Sequence, residues 1–416
     1  MNIKDTAGVE NKNWRRGFFA IMGGQTVSLI GSSAVQFALI WWLATETASP
    51  LVMALVGLLA FLPQFFLGPF AGVWIDRLPR KKVIIAADLF MGIVAAIFAM
   101  SFFIFDLPYW VACVVVGVRA IGGVFHLPAM QAAIPLLVPK DELVRVNGWS
   151  QFLQSGAFMI GPVLGAAMFA VWPLPVILLS DLVGALVAVL AIAFVKIPEI
   201  AAPPQEKHFL NEMKEGVKVY LRDKRLWIVT LVATICMVFF LPLAVFYPLM
   251  SSSYFKVTAW HASLIEFLYA LGMMFGAALM AKFGTIKDKL VAAQIGLFVM
   301  GVTALLSGLL SANMAGFWIF AGLCLTMGAS GIIFNIPFTA YLQETVPAQA
   351  QGRAFSFLGS LMSVTMPIGL AAAGPAAELF GVSFWFLASG AAIIAITGAG
   401  ILITLKQYRF EKQYGS

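Results

Sequence analysis

Gly72-Val-Trp-Ile-Asp76-Arg77-Leu-Pro79-Arg80-Lys81-Lys82 separates two apolar runs, each long enough to cross a bilayer. One acid and four bases crowd into a connection too short to be a domain. Their charges must act on the ends of the helices they join. The stretch therefore reads as part of a membrane protein whose helices move against each other.

Composition sets the solvent. Of 416 residues, 61% are hydrophobic and only 11% charged, with mean hydropathy +0.95. A soluble domain carries about 25% charged residues, and a chain of this length has too little interior to hide so much apolar surface. Lipid must solvate much of it. Cys113, Cys236 and Cys324 each lie inside an apolar run without CxxC pairing or a nearby His, so neither a disulfide framework nor a metal site is expected. The first apolar run is too long for a signal-peptide core and reads as a retained helix.

Twelve apolar runs reach spanning length. They are 17–44, 51–74, 83–104, 108–130, 146–171 and 175–195 in the first half, and 226–250, 261–282, 290–310, 315–343, 354–379 and 383–405 in the second. The runs are long and unalternating, unlike barrel strands. The expected class is an all-α integral membrane protein built as a six-helix bundle over 1–195, a linker over 196–225 and a second bundle over 226–416. With both termini cytoplasmic, every Lys and Arg falls on the cytoplasmic side except Lys256, in an outer loop, and Arg119, inside a span. Such a positive-inside bias fixes topology and an even span count. The net charge of +7 is then an orientation signal, and nucleic acid drops out as a partner. The linker begins with Pro198, Pro203 and Pro204. Over His208–Arg225 it has the pattern of an amphipathic helix, with Phe209, Leu210, Met213, Val217 and Tyr220 at helical spacing.

The halves echo each other. Gly72-x-x-x-Asp76-Arg77 recurs as Gly284-x-x-x-Asp288-Lys289, and Val138-Pro139 with Arg145 recurs as Val346-Pro347 with Arg353, at nearly the same offset. Two matches imply duplication of a six-helix unit, an arrangement that in transporters puts the substrate path between the repeats.

Gly-x-x-x-Asp-Arg-x-x-Arg-Lys between spans two and three, in a duplicated twelve-span chain, resembles the signature loop of the major facilitator superfamily. It departs at Pro79, where that family usually has Gly, which implies a tighter turn. Arg119 with Gly123 in span four and Gly161-Pro162-x-x-Gly165 in span five match two further patterns of the family, the second found in its drug–proton exchangers. The chain is similar to macrolide efflux pumps of the Mef type through Gly24-Gln25-x-Val27-Ser28-Leu29-Ile30, Pro135 to Pro139, and Gly352-Arg353-x-Phe355-Ser356 with Met366-Pro367-Ile368-Gly369. This resemblance implies a proton-driven exporter of a bulky hydrophobic drug, a macrolide first. Similar sequences export other small molecules, siderophores among them. It also implies a bacterial inner-membrane location, no cofactor beyond the proton gradient, and no enzymatic activity.

The resemblance assigns roles. Asp76 would cap the N-terminus of span eleven, near Arg353. Arg77, Arg80 and Lys81 would pair with acids such as Asp88 to hold an inner gate closed, with Gly72 at the loop's start. Lys82 reads as a plain topology charge. Gly161, Pro162, Gly165 and Pro367 thin and kink their helices for close packing, giving a symmetric rocking interface. Charges inside spans default to function, so Asp181, Glu266 and Arg119 are the candidates for proton coupling or substrate contact. The alternatives are a structural arginine on backbone carbonyls and an interfacial Glu266. Gln25, Gln36, Gln64, Asn335 and Trp41-Trp42 could face a cavity. His126 could titrate near neutral pH, although a lone histidine is more often a packed one.

A primary pump is disfavoured by the lack of a GxxxxGK[ST] loop. A membrane enzyme would need clustered His, Asp or Glu, and His126, His208 and His261 are scattered. A non-transporting scaffold subunit remains the rival of another class, so an ATP-binding cassette partner protein stands beside the small-molecule substrate and the lipid bilayer among the expected partners.

Overall fold

The computed structural model describes residues 14–139, 142–195, 197, 217–218, 220–282, 288–346 and 348–414. Twelve helices in this set are long and apolar enough to cross a membrane, matching the number and the order expected. They are α1 (Trp14–Thr47), α2 (Pro50–Arg77), α3 (Arg80–Ile104), α4 (Tyr109–Leu137), α5 (Leu143–Val171), α6 (Leu174–Ala193), α7 (Lys224–Leu249), α8 (Ala259–Lys282), α9 (Lys289–Gly308), α10 (Met314–Thr345), α11 (Ala348–Phe380) and α12 (Val382–Tyr414). A single turn of π-helix, Met250–Tyr254, extends α7. Backbone inside lipid must satisfy its own polar groups, which leaves helix as the answer for runs of this kind. Large side chains such as Ile97, Phe66 and Leu402 stay exposed along the helices, where lipid and not water is the neighbour.

Most helices overrun the apolar stretches that announced them. The overrun dissolves the charged loop. Only Leu78 and Pro79 separate α2 from α3, so Asp76 and Arg77 belong to the last turn of one helix and Arg80 to the first of the next. Hydropathy reports where lipid ends, whereas a helix continues until a residue stops it. Pro79, Pro108 and Pro173 precede α3, α4 and α6 with φ of −58°, −68° and −67°. Each presets the entry angle where no helical N–H is required. The amphipathic segment expected over 208–225 and the residues around Gly284 lie largely outside the described set.

By contacts the chain forms two compact units, Met1–Leu39 with Leu62–Pro203, and Ile40–Phe61 with Pro204–Ser416. Within the first, α3 packs on α4 and on α6; within the second, α9 packs on α10 and on α12, and α7 on α11. The pairings α3–α4 and α3–α6 recur as α9–α10 and α9–α12, as duplication of a six-helix unit requires. In the second unit the start of α2 joins α11: Gly57 abuts Leu370, Gly374 abuts Ala54, and Glu378 accepts hydrogen bonds from Ser49 Oγ (2.8 Å) and Leu51 N (3.0 Å). A carboxylate there offsets the partial positive charge of the α2 N-terminus.

The second unit is also tied at the starts of α7 and α9. Asp223 accepts from Leu226 N at 2.9 Å and from Tyr341 Oη at 2.7 Å. Asp288 accepts from Val291 N at 3.2 Å and from Arg225 Nη2 at 2.5 Å. Lys289 reaches Glu344 at 2.8 Å. Asp288 thus caps its helix with one oxygen and holds Arg225 with the other. Asp288→Asn keeps a good capping oxygen and discards the ion pair, at an expected cost of about 2 kcal/mol. Asp288→Ala loses the cap as well, for about 1 kcal/mol more. Thermal unfolding of the two variants in detergent separates the contributions; equal midpoints would mean that the cap contributes nothing.

Candidate functional site

Arg119 on α4 and Asp181 on α6 meet inside the first unit. Arg119 Nη2 donates to Asp181 Oδ2 at 2.5 Å, and Ser32 Oγ on α1 donates to Asp181 Oδ1 at 2.5 Å. Arg119 is 6% exposed and Asp181 2%. Neither could be buried alone at tolerable cost, and together they are neutral. Arg119 Nε and Nη1 find no hydrogen-bond partner among the described residues. The pair is therefore a buried ion pair with two donor nitrogens unpartnered among the described residues.

A second buried cluster spans three helices of the same unit. Gln25 Nε2 on α1 donates to Asp88 Oδ2 on α3 at 2.9 Å. His126 Nε2 on α4 lies 2.9 Å from Gln25 Oε1 and 3.3 Å from Asp88 Oδ1. All three side chains are buried. The sequence had spread them over three roles, with Asp88 at the gate, Gln25 at a cavity wall and His126 as packing.

The bases at the start of α3 are used locally. Arg80 Nη1 donates to the carbonyl of Ala132 at 2.9 Å, and Lys81 Nζ donates to the carbonyls of Ala193 and Val195 at 2.7 and 2.9 Å. These cations thereby sit against the C-terminal turns of α4 and α6, where the helix dipole is negative. Arg15 pairs with Glu142 at 3.0 Å. Gly72 lies within α2, and the side chains of Asp76, Arg77 and Arg353 lie outside the described residues.

Gly161 and Gly165 press on Ser33 and Ala34 of α1, and Gly369 presses on Val238 and Pro242 of α7. Pro162 sits inside α5 and Pro367 inside α11. The two motifs are thus counterparts, and each packs on the first helix of its own repeat. In the second unit Glu266 is half-buried on α8 with no hydrogen bond or ion pair to a described residue, and Asn335 on α10 is exposed. Gln36 is half-buried and Gln64 exposed. Trp41 is buried. Glu378, Asp223, Arg225, Tyr341 and Glu344 were not singled out from the sequence, because charges near helix ends read there only as topology. Each is an acid, base or phenol at a helix end opposite a complementary group, a signal that needs the third dimension.

The match to known proteins is extensive. Residues 21–370 fit the model of the Major Facilitator Superfamily. Macrolide efflux protein A of Streptococcus pyogenes is 38% identical over 386 residues, covering 92% of this chain and 95% of that protein. Macrolide efflux protein A of Enterococcus faecalis is 37% identical over 317 residues, covering 76% and 98%. The multidrug efflux pump Tap of Mycobacterium bovis is 24% identical over 92% of each chain. Among solved structures, a bacterial homolog of the human lysosomal transporter Spinster superposes with a TM-score of 0.71 at 16% identity, covering 95% of this chain and 98% of that one. A bacterial homologue of the iron transporter ferroportin gives 0.67 at 17%, covering 93% and 99%. With twelve spanning helices, paired six-helix repeats and a family match over most of its length, this multi-pass membrane chain belongs to the Major Facilitator Superfamily of transporters.

Proposed function

We propose that the chain expels bulky hydrophobic drugs, macrolide antibiotics first, in exchange for protons, from a bacterial cell with both termini in the cytoplasm. The observation that carries the cargo is the 38% identity to a macrolide efflux protein along nearly the whole of both chains. The distribution of lysines and arginines supports the orientation. The relatives named above lend no support to an ATP-binding cassette partner, and the chain is taken to work alone on its substrate.

The cycle starts facing inward, with drug entering from the cytoplasm or the inner leaflet. The halves rock, drug leaves outward, and a proton from outside resets a buried carboxylate. Asp181 is the preferred carboxylate, with Arg119 as its counter-ion and Glu266 as the second candidate. While Arg119 faces it, Asp181 keeps a neutral site; if the two part, protonation is what spares the buried carboxylate from standing bare. The charges around Asp76, Arg77, Arg80, Lys81 and Arg353 would close the inner side. One charge moved through 100 mV supplies about 2.3 kcal/mol, which at about 1.4 kcal/mol per decade supports a gradient of roughly 50-fold. The likeness to a multidrug pump favours a second reading in which the cargo range extends beyond macrolides.

Cells expressing the chain should hold several-fold less erythromycin than control cells, and a protonophore should erase the difference. Equal accumulation with and without the chain removes macrolides as cargo. A difference that survives the protonophore removes proton coupling.

A further inference from the structure

We propose that Asp88, His126 and Gln25 form a proton-binding site, separate from Arg119 and Asp181, which is loaded while sealed and emptied when water reaches it. The inference rests on the proton-coupled reading above and assigns it a second site.

The contacts constrain where the hydrogens lie. His126 Nε2 faces two oxygens, Gln25 Oε1 at 2.9 Å and Asp88 Oδ1 at 3.3 Å. With both neighbours acceptors, that nitrogen carries a hydrogen shared between them. Gln25 Nε2 supplies Asp88 Oδ2 with its donor at 2.9 Å. If His126 is neutral, the cluster holds one bare negative charge on a side chain that is 1% exposed. One proton added to the imidazole turns it into a neutral ion pair with every existing contact kept. Added instead to Asp88 Oδ2, the proton is accommodated by a flip of the Gln25 amide: its oxygen then accepts from Asp88, and its nitrogen donates to His126 Nε2, whose own hydrogen moves to Nδ1 at the loss of its contact with Asp88 Oδ1, so the cluster gains one proton in all. In the first case no heavy atom moves, and in the second only the Gln25 amide turns. Burying net charge is costly and burying a neutral, hydrogen-bonded cluster is not.

Among the described residues, the charged neighbours are engaged elsewhere or lie at the helix ends. Of the charged groups on the packed helices, Arg119 and Asp181 neutralise each other, with Arg119 about 10 Å from His126 by helical rise. At the start of α3, Arg80 and Lys81 bond backbone carbonyls, and Lys82 lies in the same first turn. Arg15, at the start of α1, pairs with Glu142. Asp88 is about 12 Å from the start of α3, and Gln25 about 16 Å from the start of α1, at 1.5 Å per residue. The residues one turn nearer those ends are apolar and buried: Met22 and Ile21 on α1, Ile84 on α3, and Met130 and Ile134 toward the end of α4, all members of one cluster. That apolar cluster lies between the site and the end of the bundle. Asp181 lies about 10 Å from the opposite end of its helix. The two sites are placed to serve opposite faces, and the transferred species is a proton alone, taken from and returned to water.

The test uses the full chain purified and reconstituted in liposomes, with erythromycin as probe. Erythromycin affinity is measured from about pH 5 to pH 9, and drug transport is driven by an imposed pH gradient. For one coupled proton, affinity changes up to about tenfold per pH unit between the bound and free pKa values. Wild type should show such a slope. Asp88→Asn and His126→Gln should flatten it at least about threefold and lose gradient-driven transport, with Asp88→Glu restoring both. A merely structural role would lower affinity at every pH and leave the slope. The site is overturned if wild type responds to the gradient and both variants retain the wild-type slope. If wild type itself ignores the gradient, the proton-coupled reading falls and the site falls with it.

Discussion

Asp181→Asn is expected to reduce macrolide efflux to that of cells without the protein, while the chain still reaches the membrane. The substitution keeps shape and an oxygen for Ser32 Oγ, and it removes the one group at this site able to alternate between charged and neutral. It also leaves the Arg119 guanidinium buried opposite an amide, with Nε and Nη1 already lacking partners among the described residues. Breaking one side of a buried pair costs about 3–5 kcal/mol, so a lower unfolding midpoint in detergent is expected as well. Two losses then need separating. Arg119→Gln combined with Asp181→Asn removes both charges and should recover a large part of the midpoint, because no uncompensated ion remains. Efflux should not return. If the double variant regains efflux along with stability, the pair is structural. Full efflux by Asp181→Asn alone excludes Asp181 from coupling outright.

The helices were legible in the sequence because lipid imposes one rule on every spanning segment, a long run of apolar residues with internal backbone bonds. Helix ends were less legible. α4 continues seven residues past the expected end of its span, through Leu137, and α12 runs to Tyr414, since leaving lipid removes the need for apolar side chains without stopping the helix. For the candidate site, charge inside a span was the readable signal, and it pointed to Arg119 and Asp181, which the structure pairs. That they face each other depends on how α4 and α6 are rotated, which periodicity in uniformly apolar helices does not report. Asp88 shows the same limit from another side. Near four bases in sequence, it reads as one of their counter-ions; in the fold its carboxylate turns inward to Gln25 and His126, while Arg80 and Lys81 donate to backbone carbonyls.

Gly165→Ala and Gly369→Ala are expected to destabilise the chain by about 1–3 kcal/mol each, whereas Gly156→Ala and Gly359→Ala on the same two helices should be neutral or stabilising by up to about 1 kcal/mol. A methyl at Gly165 would strike the Ala34 backbone, its oxygen 2.5 Å away, and one at Gly369 would strike the Val238 carbonyl and the Pro242 ring. Backbone cannot turn aside as a flexible side chain can. No described atom lies within 4 Å of such a methyl at Gly156 or Gly359, so there the better helix propensity of alanine decides the sign. Leucine at Gly165 or Gly369 should leave little monodisperse protein. Unfolding midpoints of the four alanine variants in detergent check the pattern, and equal effects within each helix would refute it. The comparison bears on mechanism because both glycines fasten the fifth helix of a repeat to the first. If α5 rides rigidly on α1 and α11 on α7, each repeat carries its glycine seam as one body. Rocking must then occur elsewhere than at the Gly-Pro motif, whose close packing would transmit movement without itself hinging.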